Sequence, residues 1–184
     1  MIPNLAYTAI ERFDHDNGER WSGYVRWLGR SDLLGVISLD AGICPPVVHA
    51  ESGDDWQFVV QQEFMLDFFT DLDFVRRRAA KSSRRYHVLA VARNPTAEEV
   101  AGFADARFQL AGFDVVDAQF TKSALLNGSR FPGVLSISEL SRESALVPAR
   151  ERAFAIRDAL ERRHPDPRRV PWQAWGIWRY AAAA

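Results

Sequence analysis

The chain has 184 residues, of which 47% are hydrophobic and 26% charged, so it has the length and composition of one globular domain that can bury a substantial core. Its single cysteine, Cys44, excludes an intramolecular disulfide and a cysteine-based zinc site. The N-terminal residues lack the features of a signal peptide, and no segment approaches the roughly 18 consecutive apolar residues of a membrane span. We therefore expect a cytoplasmic protein that does not enter a membrane.

Charge is distributed unevenly along the chain, although the formal net charge is only −1. Residues 1–75 carry 13 acids and 4 arginines, a net charge of −9, whereas residues 76–184 carry 11 acids and 19 bases, a net charge of +8. This asymmetry predicts either a bipolar surface or ion pairing between the two halves. It argues against a general nucleic-acid-binding protein, which would be basic overall.

The pattern of the first residues does not choose between helix and strand. Residues 3–13 fit a short strand or a short helix. In residues 20–28, aromatic side chains recur every third position at Trp21, Tyr24 and Trp27, but an interior glycine weakens a helix. Helix and strand therefore both remain open for this segment.

The middle of the first half combines a short β-branched run with a long apolar segment. The run LGVISLD, residues 34–40, predicts a buried strand, and two prolines make the loop that follows it rigid. Residues 56–81 are long enough to favour one helix, with a strand at 56–60 and a shorter helix as the alternative. The helix is indicated by apolar residues at helical spacing: Phe58, Met65, Phe68, Leu72 and Val75.

Residues 86–118 predict a strand, a helix and a second strand. YHVLAVAR, residues 86–93, is typical of a buried strand, and FDVVDA, residues 113–118, resembles it. Between them, Thr96 and Glu99 form the pattern of a capping box, in which each side chain bonds a backbone N–H at the start of a helix. The buried face of this helix is predicted to consist of Val100, Phe103, Ala104 and Phe108.

The clearest helix in the sequence covers residues 147–164. Pro148 suits its first turn, because proline has a helical φ and lacks the N–H that a first turn leaves unpaired. The aromatic tail is predicted to form a last strand at residues 174–180. The narrow apolar stripe that would pack this helix on a sheet comprises Ala149, Ala153, Ile156 and Leu160.

Together these elements predict one α/β domain over residues 1–184, with α+β as an alternative. We expect a small sheet of about four or more strands, with helices packed mainly on one face. The sequence does not decide whether the sheet is parallel or mixed. The predicted strands are residues 34–40, 86–93, 113–118 and 174–180.

Acidic residues form the main candidate binding site. If residues 56–81 are helical, Glu63, Asp67 and Asp71 stack at intervals of four residues on one face, with Asp73 nearby. Neighbouring like charges repel, and no Lys or Arg lies between Arg30 and residue 76 to offset them. The basic half of the chain, a basic partner protein or a divalent metal could neutralise this column; we expect no metal, because carboxylate metal sites usually draw ligands from several elements.

A second candidate is an enzyme site near Asp40, Cys44 and His49. Asp40 ends a predicted strand, and a thiol beside a histidine can act as a nucleophile if its pKa is lowered. A lone cysteine is, however, most often a small buried hydrophobic residue. The sequence also lacks GxGxxG, P-loop, HExxH and GxSxG motifs, which lowers the expectation of an enzyme.

Basic and aromatic residues supply two further candidates. The cations between Arg76 and Arg85, together with Tyr86, could contact phosphates, but they are better explained as a helix end and a solvated loop. We therefore do not expect a nucleic acid partner. Among the tryptophans, Trp172 follows a proline in a polar loop and is predicted to be the exposed one, suited to anchoring a partner protein.

Three stretches of the C-terminal half, FQLAGFDVVDA, SALLNG and WGIWR, resemble small uncharacterised bacterial proteins, some of which are the immunity partners of secreted toxins. The resemblance covers about residues 87–180, and its motifs are structural. It implies a binding role and transfers no catalytic residue. We expect a non-catalytic, immunity-type protein without a cofactor, which neutralises a basic partner protein through Glu63, Asp67, Asp71, Asp73 and Trp172; its oligomeric state is left open.

Overall fold

The computed structural model describes residues 5–62, 66–126, 133–163 and 170–181. Six strands form one antiparallel sheet in the order β4-β5-β1-β6-β8-β7, and β2 pairs with β3 in a small second sheet. The strands are β1 (Leu5–Glu11), β2 (Phe13–Asp14), β3 (Gly35–Val36), β4 (Val59–Gln62), β5 (Asp67–Phe69), β6 (Tyr86–Arg93), β7 (Phe108–Asp117) and β8 (Trp172–Tyr180), and the helices are α1 (Gly18–Leu28), α2 (Leu72–Ala79), α3 (Ala97–Gly102) and α4 (Arg150–Arg163).

Both faces of the sheet are covered. Along β6, Leu89 and Val91 belong to one hydrophobic cluster, whereas Val88, Ala90 and Ala92 belong to another on the opposite face. The two longer helices, α1 and α4, pack on the first cluster, and α2 packs on the second with residues at the end of α3. The prediction of a single mixed α/β domain is confirmed, and the sheet has six strands.

The predicted long helix near the C-terminus is confirmed as α4. Ala153, Ile156 and Leu160 are fully buried against β7 and β8, as their spacing predicted, whereas Ala149 lies before the helix and is exposed. His164, the last residue of the predicted helix, lies outside the described residues. Among the described residues, no helix is long and apolar enough to cross a bilayer.

The prediction of one helix over residues 56–81 is wrong. A 3-10 turn at Asp55–Phe58 leads into β4, β5 follows at Asp67–Phe69, and of the described residues in this segment only Leu72–Ala79 are α-helical. The alternative, an early strand followed by a shorter helix, is closer to the structure. β5 is buried on both faces, since Phe68 belongs to one hydrophobic cluster and Phe69 to the other. An inner strand of this kind has a continuous apolar sequence, and its pattern cannot be distinguished from that of a buried helix.

Other boundaries also differ from the prediction. Of residues 34–40, only Gly35–Val36 form a strand, although most of that run is buried. The strand predicted at 86–93 is β6, and those predicted at 113–118 and 174–180 belong to the longer β7 and β8. The helix that begins after Thr96 has its capping box but ends at Gly102.

Candidate partner-binding surface

The structure separates the four acids of the predicted column. Asp67 lies in β5 and is buried; one carboxylate oxygen accepts a 3.1 Å hydrogen bond from the backbone N–H of Ala50 and lies 3.5 Å from Nδ1 of His49. Asp67 is therefore not part of an exposed surface. Glu63 lies outside the described residues. Because β5 replaces the helix that would have aligned them, the predicted column does not exist.

Asp71 and Asp73, in contrast, lie together at the start of α2. Asp71 is the N-cap, and its Oδ1 accepts a 2.8 Å hydrogen bond from the N–H of Phe74. The side chain of Asp73 is 63% exposed and forms a 3.1 Å ion pair with Arg76. Both acids line an open depression of about 530 Å³, which Gln57, Phe58 and Arg107 also line.

Two large apolar residues are exposed in the chain segment that contributes Gln57 and Phe58 to this depression. Trp56, in the 3-10 turn, is 47% exposed, and Val60, in β4, is 53% exposed. Within the described ranges, the outer edge of β4 has no strand partner, and its four residues, VVQQ, carry no charge. The pairing of β4 with β5 shifts register between Val59 and Gln61, so Val60 lies at an irregularity of the ladder.

We call Asp54, Trp56, Val60, Asp71 and Asp73 the β4 surface. Asp54 is exposed and has no cationic partner among the residues described. The surface therefore combines an uncharged strand edge, two exposed apolar side chains and three acids. Sequence analysis identified Asp71 and Asp73 but missed Trp56 and Val60, because it placed residues 56–60 in a helix.

The charge asymmetry is partly neutralised within the fold, and one of the pairs involves Asp73 of the β4 surface. Among the described residues, seven ion pairs join the acidic half to the basic half, so pairing between the halves, one of the predicted alternatives, occurs. The cations between Arg76 and Arg85 take part in six of these pairs, which leaves less charge for a nucleic acid. The pairs are Glu11–Arg84, Asp14–Arg85, Asp16–Arg85, Asp32–Arg142, Glu51–Arg78, Asp55–Arg78 and Asp73–Arg76.

The residues of the second candidate do not form one site. Cys44 is fully buried, and burial raises the pKa of its thiol, so the thiolate needed for nucleophilic attack is disfavoured. Burial also raises the pKa of Asp40. His49 approaches Asp67, and no described contact joins it to Cys44 or Asp40. The arrangement required of a cysteine nucleophile and its histidine base is therefore absent from the described residues.

Asp40 instead belongs to a buried polar network centred on Asp114, which sequence analysis did not identify. Each carboxylate oxygen of Asp114 accepts one hydrogen bond from a hydroxyl and one from a backbone N–H. Oδ2 accepts from Ser38 Oγ at 2.7 Å and from the N–H of Leu39 at 3.0 Å. Oδ1 accepts from Ser123 Oγ at 2.7 Å and from the N–H of Val115 at 2.8 Å. Asp40 accepts a 2.9 Å hydrogen bond from the N–H of Ser123. The network fastens two irregular segments to β7, and Ser38, Asp40, Asp114 and Ser123 are all buried.

Two smaller features remain: a group of possible metal ligands before α1, and the predicted anchor Trp172. Asp14, His15 and Asp16 place one ligand atom each within 4.8 Å of one another, but Asp14 and Asp16 already pair with arginine, which opposes a bound cation.

Trp172 begins β8, is half-buried and packs against the core. Its backbone N–H donates a 2.5 Å hydrogen bond to Glu161. Trp172 is less exposed than Trp56.

In comparisons with known proteins, no family model, no curated protein and no solved structure matches the chain.

Proposed function

We propose that this protein is a non-catalytic binding protein that recognises and neutralises a basic partner protein through the β4 surface. One observation carries the proposal: Trp56 and Val60 are exposed in and just before the uncharged edge strand β4, and Gln57 and Phe58 of the same segment line a depression together with Asp71 and Asp73. Exposed tryptophans in an apolar setting are typical anchors of protein interfaces.

The edge itself supports this role. Soluble proteins usually protect an outer strand with lysine or proline, because unpaired backbone groups attract other chains. β4 has neither residue, although its shortness and its irregular pairing at Val60 limit indiscriminate pairing. Nearby carboxylates would then select among partners, since opposed charges speed the encounter of matching proteins and oppose the approach of acidic ones.

The immunity-type character remains part of the proposal. It rests on the resemblance expected from the stretches FQLAGFDVVDA, SALLNG and WGIWR, and an immunity protein acts by occupying its toxin. The buried thiol of Cys44 and the separation of His49 from it give an enzyme no comparable support. We place the proposed complex in the bacterial cytoplasm.

The test is affinity capture from the native bacterial lysate at low salt with matched variants. Trp56→Ala should weaken binding of the captured partner by about 30-fold, the effect of removing an interface anchor worth about 2 kcal/mol. Asp54→Lys should mainly slow association, and the partner should be a basic protein.

The controls are Leu110→Ala and Glu98→Lys. Leu110 is 44% exposed on β7, the opposite outer strand of the sheet, and Glu98 is an exposed acid in α3. Both controls should bind like the unmodified protein. If Trp56→Ala and Asp54→Lys bind the partner as well as the controls do, or if only acidic proteins are captured, the proposal is wrong.

A further inference from the structure

A second depression lies at the other end of α2, where the helix meets the ends of β6 and β8. Its volume is about 380 Å³, within the range of small-molecule sites. In contrast to the depression beside the β4 surface, its described lining contains no carboxylate. The lining residues are Arg76, Ala80, Tyr86, His87, Val88 and Tyr180.

Arg76 offers a positioned cation in this depression. Its guanidinium carbon lies 4.9 Å from the ring centroid of Tyr180, close enough for a cation–π contact. Nη1 donates a 3.1 Å hydrogen bond to Asp73, which occupies one of the five N–H donors of the group. The aromatic ring therefore limits the movement of the guanidinium, and most of its donors remain free to bind an oxygen anion.

Two phenol groups add further donors. Tyr86 and Tyr180 are half-buried, and neither hydroxyl has a hydrogen-bond partner within the described parts of the chain. Both hydroxyls can donate to an anion. Val88 supplies a buried apolar surface between them. The depression thus combines one cation, two hydroxyl donors and aromatic walls.

We propose that this depression binds a small organic anion, in which a carboxylate or phosphate contacts Arg76 and the two phenol hydroxyls while an aromatic group lies against Tyr86 and Val88. The site adjoins the β4 surface through the ion pair of Arg76 with Asp73, but its lining is different and it does not depend on the proposed partner-binding function.

The test is a titration of the full-length protein, followed through its amide NMR signals, with phenyl phosphate, benzoate, inorganic phosphate and neutral benzyl alcohol. An aromatic anion should bind saturably and shift the amides of Ala80, Val88 and Tyr180. Binding of phenyl phosphate but not benzoate would identify a phosphate ester as the ligand class, and the reverse would identify a carboxylate. Benzyl alcohol should bind at least tenfold more weakly, because it lacks the charge.

Three variants assign the contacts. Arg76→Gln should weaken binding about tenfold, and Tyr180→Phe, which keeps the ring but removes the hydroxyl, about fivefold. Arg77→Gln is the matched control, since Arg77 is an exposed arginine on the same helix outside the depression, and it should bind normally. The proposal is overturned if neither aromatic anion shifts these amides, if benzyl alcohol binds as tightly, or if Arg77→Gln weakens binding as much as Arg76→Gln.

Discussion

The hydrogen bonds around Asp114 allow the cost of one substitution to be worked out. In Asp114→Asn, an amide nitrogen replaces one of two oxygens that each accept a backbone N–H and a hydroxyl. The hydroxyls of Ser38 and Ser123 can rotate and accept, but the N–H of Leu39 or Val115 cannot. One buried N–H therefore loses its partner, which costs about 1–3 kcal/mol.

Two comparisons sharpen this prediction. Asp114→Ala leaves both backbone N–H groups and both hydroxyls without their acceptor, so we expect a larger loss of about 3–5 kcal/mol. Asp158→Asn is the control, since the side chain of Asp158 is half-exposed on α4 and pairs only with its neighbour Arg157. Its effect on the free energy of unfolding should stay within about 0.5 kcal/mol.

The pH dependence has a definite sign. Burial raises the pKa of Asp114, although hydrogen bonds from Ser38 and Ser123 oppose the shift. A carboxyl with a raised folded-state pKa contributes stability below the ordinary pKa of aspartate, about 3.9, and loses that contribution as the pH rises through the folded-state value. Asparagine does not titrate, so the stability difference between the unmodified protein and Asp114→Asn should be largest near pH 4 and smaller at neutral pH.

Urea unfolding, followed by tryptophan fluorescence at several pH values, measures these free energies. The reasoning is refuted if Asp114→Asn and Asp114→Ala both unfold like the control. It is also refuted if the destabilisation caused by asparagine grows as the pH rises.

Two further predictions concern glycine and the thiol. Gly112→Ala should destabilise the protein by about 2 kcal/mol or more, because φ is +134° and a Cβ would lie 2.9 Å from Cβ of Leu146. Gly23→Ala, inside α1 with open space around it, should stabilise the protein by up to about 1 kcal/mol. Thermal unfolding measures both changes, and equal effects would contradict the prediction. Cys44 should resist a thiol reagent in the folded protein and react fully in urea, because it is buried and its pKa is raised; rapid labelling of the folded protein would contradict this.

Local signals in the sequence predicted several elements correctly. Residues 86–93 form β6, because β-branched and small apolar residues suit an inner strand. The apolar stripe of α4 is continuous and is bounded by Pro148, so its spacing leaves little ambiguity. The capping box of Thr96 and Glu99 forms because both of its hydrogen bonds are local.

The errors arose where tertiary contacts determine the backbone. Residues 37–40 are buried although Ser38 and Asp40 are polar, and the N–H of Leu39 bonds to Asp114, which is distant in sequence, rather than to a neighbouring strand. Phe103 and Phe108 do contact each other, with ring centroids 5.8 Å apart, although the chain between them leaves the helix and Phe108 begins β7. Spacing along a sequence therefore predicted which side chains meet better than it predicted how the backbone joins them.

The same limit applies to the candidate site. Asp71 and Asp73 remain near each other because both belong to the start of α2. Trp56 and Val60 could be recognised as exposed only after β4 was placed at the sheet edge, which depends on pairing with β5 and β1. An edge strand is a property of the whole sheet, and no local pattern specifies it.

The position of β8 has a consequence for the biosynthesis of this protein. β8 follows every other described element in the chain, yet it lies between β6 and β7 and is the only strand paired with β7 in the six-stranded sheet. While the ribosome is still translating residues before Trp172, the long edges of β6 and β7 have no strand between them. Nascent chains and prematurely terminated products should therefore be prone to aggregate until β8 emerges and joins the two edges.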